Sequence, residues 1–200
     1  MQKSLLFLAL LFLVLTVNAQ NVPEGYLQAK RQLASGSYWD AMNSFRAFQD
    51  ESKYGKLALY ASYHAGESAL KANQAETAID LLKPLASRNW ENQNETKILL
   101  AESYLLNRNI NEGLDLLKTL PQSYSEQAND LAYKYLVQQS PDFLVRNLKE
   151  YQDIPAFTAA LSKVLNKKTV LSADEKSLYY ELRGQGENWS TGNTVKNDIL

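Results

Sequence analysis

Residues 36–45 read Gly36-Ser37-Tyr38-Trp39-Asp40-Ala41-Met42-Asn43-Ser44-Phe45, and their order of turn residue, small residue and large apolar residue returns twice along the chain. The later copies begin at Asn73 and Arg108. A repeat of this length predicts stacked helix pairs, because one pair cannot bury its apolar face without a neighbour. The small residues of the three copies, 37 and then 35 positions apart, are Ala41, Ala78 and Gly113.

The sequence around these repeated motifs has the residue spacing of amphipathic helices. From Pro23 to about Leu182 glycines are few, and apolar residues recur three and four positions apart, as in Tyr60, Tyr63 and Leu70. No stretch has the two-residue alternation of a half-buried strand. Short polar breaks separate the helices, and turns of three or four residues make neighbouring helices antiparallel. The breaks are Ser35–Ser37, Lys71–Gln74 and Asn107–Asn109.

In these residues the chain resembles a degenerate set of tetratricopeptide repeats (TPRs). In that family a small residue in each helix lets the two backbones of a pair approach, and a large apolar residue one turn later fills the space beside it. The first-helix small residues are Ala29, Gly66 and Ala101. The second-helix small residues Ala41, Ala78 and Gly113 are followed by Phe45, Leu82 and Leu117. The resemblance implies an all-α, right-handed α-solenoid of antiparallel helix hairpins, with about three to four TPR-like repeats.

Toward the C terminus the resemblance weakens, and it covers about 125 residues in all. A fourth pair is predicted over Ser125–Gln139 and Asp142–Tyr151, with Ser140-Pro141 in its turn. Two further helices are expected to cover the apolar end of the stack, as solenoids require. In the second of them, Ser172 and Glu175 have the spacing of a capping box. These two helices are predicted over Pro155–Asn166 and Ser172–Leu182.

The first 19 residues have the pattern of a secretory signal peptide. Lys3 supplies a positive charge, Leu5–Leu15 is an unbroken apolar run of 11 residues, and Val17 and Ala19 occupy the positions that a signal peptidase reads. A membrane-spanning helix needs roughly 20 apolar residues, so this run is short for an anchor. Cleavage is expected after Ala19, and the mature chain is expected to be periplasmic or secreted. The predicted organisation is a signal peptide over 1–19, TPR-like repeats over 20–151, capping helices over 152–183 and a flexible linker or tail over 184–200.

Composition excludes several classes of protein. The chain has no cysteine, which excludes disulfides, thiolate metal sites and a lipid-modified cysteine. Without Lys3, 20 basic side chains stand against 22 acidic ones, and no block of like charge is present. The electrostatic footprint of a nucleic-acid-binding protein is therefore missing.

The sequence also lacks the patterns of common catalytic and cofactor sites. His64 is the single histidine and is predicted to be a surface or groove residue of a helix. Because the chain has one histidine and no cysteine, a zinc-binding site is not expected. The segment 66–70 fails the nucleophile-elbow pattern at its last position, and Gly184-x-Gly186 lacks the third glycine of a dinucleotide fingerprint. A role of Glu102 or Glu112 as a catalytic carboxylate of a glycosidase stays an open alternative, although acids on solenoid helices are usually solvated. We therefore expect no catalytic residue, no cofactor and no metal.

A binding groove is the remaining candidate site. In TPR-like proteins the first helix of each pair lines the concave face, and tyrosines there favour peptide capture, since they give a large contact area and a hydroxyl at low entropic cost. An equally weighted alternative to peptide capture is that these tyrosines pack between helices. The face carries acids and no asparagine, so the Lys/Arg and Asn clamp for a C-terminal carboxylate is not expected. The predicted groove residues are Tyr26, Lys30, Tyr60, Tyr63, Glu67, Lys71, Glu95, Ile98 and Glu102.

These features predict an exported, non-catalytic, TPR-like scaffold that binds a protein or peptide partner in a bacterial cell envelope, with no stable membrane span. Two alternatives stay open. The linker-like composition from Gly184 to Thr194, followed by the apolar Ile199-Leu200, is also typical of an N-terminal helical module of a larger envelope protein. Such modules precede a periplasmic-binding-protein-like domain in activators of penicillin-binding proteins. The third reading is a helical peptidoglycan-cleaving enzyme, for which no distinct set of acids is visible.

Overall fold

A computed structural model describes residues 22–167 and 170–186, and this part of the chain consists of α-helices, one 3₁₀ turn and connecting turns, without a strand. No helix in this part is long and apolar enough to cross a membrane. The predicted signal peptide and the tail after Gly186 lie outside the described residues. The helices are α1 Glu24–Ala34, α2 Tyr38–Arg46, α3 Glu51–Tyr54, α4 Lys56–Lys71, α5 Ala75–Ala86, α6 Gln93–Leu106, α7 Ile110–Lys118, α8 Ser125–Leu136, α9 Pro141–Tyr151, α10 Pro155–Asn166 and α11 Ala173–Gly186, with the 3₁₀ turn at Gln122–Tyr124.

The turns inside the first three helix pairs have one common geometry. Gly36, Asn73 and Arg108 stand at equivalent positions and have positive φ angles of 85°, 60° and 64°. In each turn the next backbone N–H donates to the carbonyl five residues back, at 2.9 Å. This is the Schellman arrangement that ends a helix with one left-handed residue. The repeated sequence motif therefore corresponds to a repeated turn.

Arg108 is an unfavourable residue for this left-handed position, because its Cβ crowds the following carbonyl. We predict that Arg108→Gly raises the free energy of unfolding by about 0.5 to 1 kcal/mol. Urea unfolding followed by circular dichroism measures the change. Arg108→Ala removes the same exposed side chain but keeps the Cβ, so it is expected to give no gain. Equal effects of the two variants would contradict this account of the turn.

Small residues stand where the helices of each pair cross. Ala29, Ala41, Ala78 and Ala101 are fully buried. Gly66 of α4 lies so close to α5 that a Cβ built on it would come within 2.5 Å of Leu82 Cγ. Gly113 has the same relation to α6, where a Cβ would lie 2.7 Å from Leu105 Cγ. With the repeated turns, these crossings confirm the predicted all-α solenoid of TPR-like helix pairs.

The fourth pair differs from the prediction. α8 packs chiefly against α10, and α9 also packs against α10, so α8 and α9 do not form a close hairpin like the first three. Two features explain this arrangement. Asn129 Oδ1 of α8 accepts from the backbone N–H of Ala156 at the start of α10, at 3.2 Å. Ala156 and Ala160 of α10 are fully buried, and such small side chains permit close packing.

The last two helices follow this core. α10 is an interior helix with Phe157, Leu161 and Leu165 fully buried, and α11 packs against it. The predicted capping box at the start of α11 is confirmed, since Ser172 N–H donates to Glu175 Oε2 at 2.8 Å and Glu175 N–H donates to Ser172 Oγ at 3.2 Å. α11 continues to Gly186, four residues beyond the predicted end at Leu182 and into the predicted linker.

The buried apolar residues form clusters of unequal size. The N-terminal cluster joins the first two pairs and consists of Tyr26, Phe45 and four alanines. A second cluster, which includes Met42, Leu82 and Leu100, joins the first, second and third pairs. The largest cluster begins at Ile98 of the third pair and extends to Leu165 of α10. Large side chains are therefore concentrated in the C-terminal half.

Candidate binding face on the first helices of the pairs

The surface formed by α1, α4, α6 and α8 is called here the first-helix face. Lys30 of α1 reaches His64 of α4, α4 contacts α6 and α6 contacts α8, so these helices form a continuous surface. Of the nine predicted groove residues, Tyr26 and Ile98 do not reach it. They are 8 % and 6 % exposed and belong to the apolar core, so their assignment to a binding surface is wrong. The seven others are half-buried or exposed: Lys30, Tyr60, Tyr63, Glu67, Lys71, Glu95 and Glu102.

A chain of polar contacts crosses this face from α1 to the end of α4. Lys30 Nζ lies 3.1 Å from His64 Nε2. His64 Nδ1 lies 3.0 Å from Glu67 Oε2, and Glu67 Oε1 lies 2.9 Å from Lys71 Nζ. The His64 ring stacks on Phe45 with 5.3 Å between ring centroids. The single histidine therefore connects helix pairs, and both of its nitrogens are used in these contacts.

The carboxylate of Glu67 is held in its charged form by this chain. The hydrogen bond from His64, followed by the hydrogen bond and charge of Lys71, lowers the pKa of Glu67 from 4.5 to about 2. A carboxyl group whose pKa falls on folding stabilises the fold above its unfolded pKa and loses that contribution as the pH falls toward its folded pKa.

We therefore predict that Glu67 contributes about 2 kcal/mol to stability at neutral pH, a value reduced from the full pKa shift because the side chain is partly solvated. The contribution is complete above pH 4.5 and disappears as the pH falls to about 2. Urea unfolding of the wild type and of Glu67→Gln across this window measures it, and the two curves are expected to converge at the acid end. Glu91→Gln, at an exposed loop position, is the control. A constant difference between wild type and Glu67→Gln from pH 7 to pH 2 would contradict the prediction.

Next to this chain lies an aromatic cluster with one acid. Trp90, in the segment between α5 and α6, makes edge-to-face contacts with Tyr60 and Tyr63 at centroid distances of 5.7 and 5.9 Å. On the adjoining first helix, Glu95 Oε1 accepts from the hydroxyl of Tyr124 at 2.7 Å. Burial, followed by the charges of Glu67 and Glu95, raises the pKa of Tyr63 to about 12. Tyr63 thus lies within electrostatic reach of both acids.

Two polar atoms of this cluster have no hydrogen-bond partner. Glu95 Oε2 and Trp90 Nε1 are shielded from water, and neither is hydrogen-bonded within the described part of the chain. Such an orphaned acceptor or donor costs free energy unless a further group satisfies it.

The face continues onto α8, beyond the residues predicted from sequence. Glu102 pairs with Lys134 Nζ at 2.9 Å and lies 3.4 Å from the hydroxyl of Tyr135. The hydrogen bond that Lys134 donates to Glu102 raises the pKa of Lys134. Sequence reasoning missed Trp90, Tyr124, Lys134 and Tyr135, because its groove ended with the third pair and left out the connecting segments.

No catalytic arrangement is visible on this face. Within residues 22–167 and 170–186 no group of three or more histidine, cysteine or acidic residues is placed to hold a metal ion. Two of the larger cavities in this part lie elsewhere. A cavity of about 560 Å³ between α9 and α11 is lined in part by Arg146 and Glu175. Another, of about 490 Å³, lies beside the 3₁₀ turn and includes Asn129.

No family model matches the sequence, and no curated protein is significantly similar to it. Two solved structures align with this chain. Both are of a Podosopora anserina protein assigned as a kinesin light chain with nearly identical TPR-like repeats, and one carries a single substitution. The substituted form is 16 % identical at a TM-score of 0.48 and aligns over 80 % of this chain and 92 % of its own. The other has the same identity and TM-score and aligns over 84 % and 96 %.

Proposed function

We propose that this protein is an exported, non-catalytic scaffold of the cell envelope that binds a partner polypeptide along the first-helix face. One observation carries the proposal: Tyr60, Tyr63 and Trp90 form a half-buried aromatic surface beside acids of two successive first helices. Aromatic side chains with one apolar and one polar part dominate the binding energy of many protein interfaces. The TPR-like fold supports the same function, since stacked pairs offer an extended surface for a polypeptide.

Export to the envelope is supported by the N-terminal sequence pattern. Its test is N-terminal sequencing of the protein isolated from the envelope or periplasmic fraction of its native cells. The expected first residue is Gln20, the position after the predicted cleavage site. A chain that still begins at Met1 in the soluble cell interior would overturn the export proposal.

Binding is tested by a crosslinked pull-down with the tagged protein from its native envelope fraction, read by quantitative mass spectrometry. A defined set of envelope proteins is expected to be enriched. Tyr60→Ala with Tyr63→Ala is expected to reduce their capture at least tenfold, because two aromatic contacts of about 1 to 2 kcal/mol each are lost. Circular dichroism confirms that the helices persist.

The matched control removes two aromatic side chains elsewhere. Trp39 and Tyr180 are 54 % and 68 % exposed and lie off the first-helix face, so Trp39→Ala with Tyr180→Ala is expected to bind normally. Normal capture by the Tyr60/Tyr63 variant would show that the first-helix face is not the binding site. No enrichment by the folded wild-type protein would contradict the scaffold function itself.

A further inference from the structure

The geometry points to a subsite for one positively charged side chain, a lysine or arginine of the bound polypeptide, formed by Tyr63, Trp90, Glu95 and Tyr124. The inference rests on the proposed function and specifies which chemistry the partner presents at this point of the first-helix face.

The first argument is the contrast among the three acids predicted from the sequence as groove residues. Glu67 is paired with Lys71, and Glu102 is paired with Lys134, so both carry an internal counter-charge. Glu95 forms no ion pair within the described part of the chain, and its one hydrogen bond comes from the neutral hydroxyl of Tyr124. Its charge is therefore the one among these three that a cation from outside can neutralise.

The second argument is the unsatisfied carboxylate oxygen. Glu95 Oε1 is bonded to Tyr124, whereas Oε2 is shielded from water and has no donor in the described part of the chain. An ionised oxygen in such a position gains more from a charged donor than from a neutral one, because charge-assisted hydrogen bonds are about twice as strong. A guanidinium or ammonium group of the partner supplies both the missing donor and the opposite charge.

The third argument is the aromatic surroundings. Trp90 and Tyr63 meet edge to face at 5.9 Å, and Tyr63 lies close enough to Glu95 for the charge of that acid to act on it. A cation is attracted to the face of such rings, most strongly to tryptophan. The unpaired Trp90 Nε1–H is a donor and takes a backbone carbonyl of the same polypeptide. An acidic or phosphorylated side chain has the wrong sign for this subsite.

The direct test uses the indole N–H signals of the full protein in ¹⁵N–¹H correlation spectra, with N-acetyl-arginine methylamide and N-acetyl-lysine methylamide as probes. The Trp90 signal is assigned through Trp90→Phe. We expect it to shift in a saturable manner, with a dissociation constant on the order of 10 mM for a single side chain. The citrulline analogue has nearly the same shape as the arginine probe without its charge and is expected to give no saturable shift. The signal of the exposed Trp39 is the internal control and is expected to stay in place.

Glu95→Gln keeps the size of the side chain and an acceptor for Tyr124 but removes the charge. It is expected to weaken arginine binding roughly tenfold or more. Glu112→Gln, on α7 and exposed, is expected to leave binding unchanged. A Trp90 shift of equal size with citrulline, or arginine binding unaffected by Glu95→Gln, would overturn the subsite.

The same two variants in the pull-down separate this inference from the proposed function. If the subsite is correct, Glu95→Gln reduces partner capture as Tyr60→Ala with Tyr63→Ala does, and Glu112→Gln does not. If the tyrosine variant loses the partner while Glu95→Gln retains it fully, the scaffold function stands and the cation subsite is wrong. If the arginine probe binds through Glu95 but the tyrosine variant captures partners normally, the subsite stands and the proposed binding mode fails.

Discussion

Replacing Phe45 by alanine is expected to lower the free energy of unfolding by about 3 to 5 kcal/mol. Phe45 is fully buried, contacts Tyr26 edge to face at 5.3 Å and stacks on the ring of His64. It is the largest fully buried side chain of the N-terminal cluster, whose other members are mainly alanines. The cost combines the lost burial of the ring with the cavity that it leaves among the alanines of this cluster.

The loss is expected to appear first in α1 and α2, because an end pair of a solenoid has a neighbour on one side only. Hydrogen exchange followed by mass spectrometry locates it, and urea unfolding gives its size. Phe48→Ala is the matched control, since Phe48 is half-buried and contacts the same Tyr26 ring at 5.9 Å. It is expected to cost clearly less. Equal costs at the two positions would show that Phe45 does not hold the first pair to the second.

Replacing Gly66 by valine is expected to cost about 3 kcal/mol, although valine favours a helix more than glycine does. Gly66 lies where α4 and α5 cross. A Cβ there would lie 2.5 Å from Leu82 Cγ, and Cδ2 of the same leucine would be in contact as well. Both the branch point and the end of Leu82 must therefore move, which forces the two helices apart.

A double-mutant cycle tests the cause of this loss. Leu82→Ala alone is expected to cost about 2 to 5 kcal/mol through its cavity. In that background Gly66→Val fills the space that the leucine leaves, and its cost is expected to vanish or change sign. Additive costs in the double variant would contradict the crossing as the source of the strain, since residues in direct contact are expected to couple.

The sequence predicts the first three helix pairs well, because the signals are local. The left-handed turn residue and the small residue five positions later stand at fixed spacing, and the structure has both at each turn. The capping box of α11 is local in the same sense. The predicted hairpin of the fourth pair does not form. α8 packs against α10 instead of α9, and the hydrogen bond between Asn129 and Ala156 joins residues 27 positions apart. Spacing along the chain carries no signal for such a contact.

The binding face is predicted in part for a related reason. Register along a helix places Tyr60, Tyr63 and Glu95 on the face, but it cannot distinguish a residue that points at the neighbouring helix from one that points past it. Tyr26 and Ile98 are therefore assigned wrongly. Trp90 lies in an irregular segment with no periodicity to assign it to a face, and only the folded chain brings it against α4.

The unequal sizes of the buried apolar clusters affect the order in which the helix pairs can fold during synthesis. The N-terminal pairs leave the ribosome first, yet the cluster with most of the large side chains closes only when α10 is present, 67 positions after Ile98. Contacts over such distances form late, because loop closure precedes their gain. We therefore expect the C-terminal half of the stack to gain most of its stability only once α10 has been made. On the export route proposed above, a chain translocated before that point would cross with its largest core still incomplete.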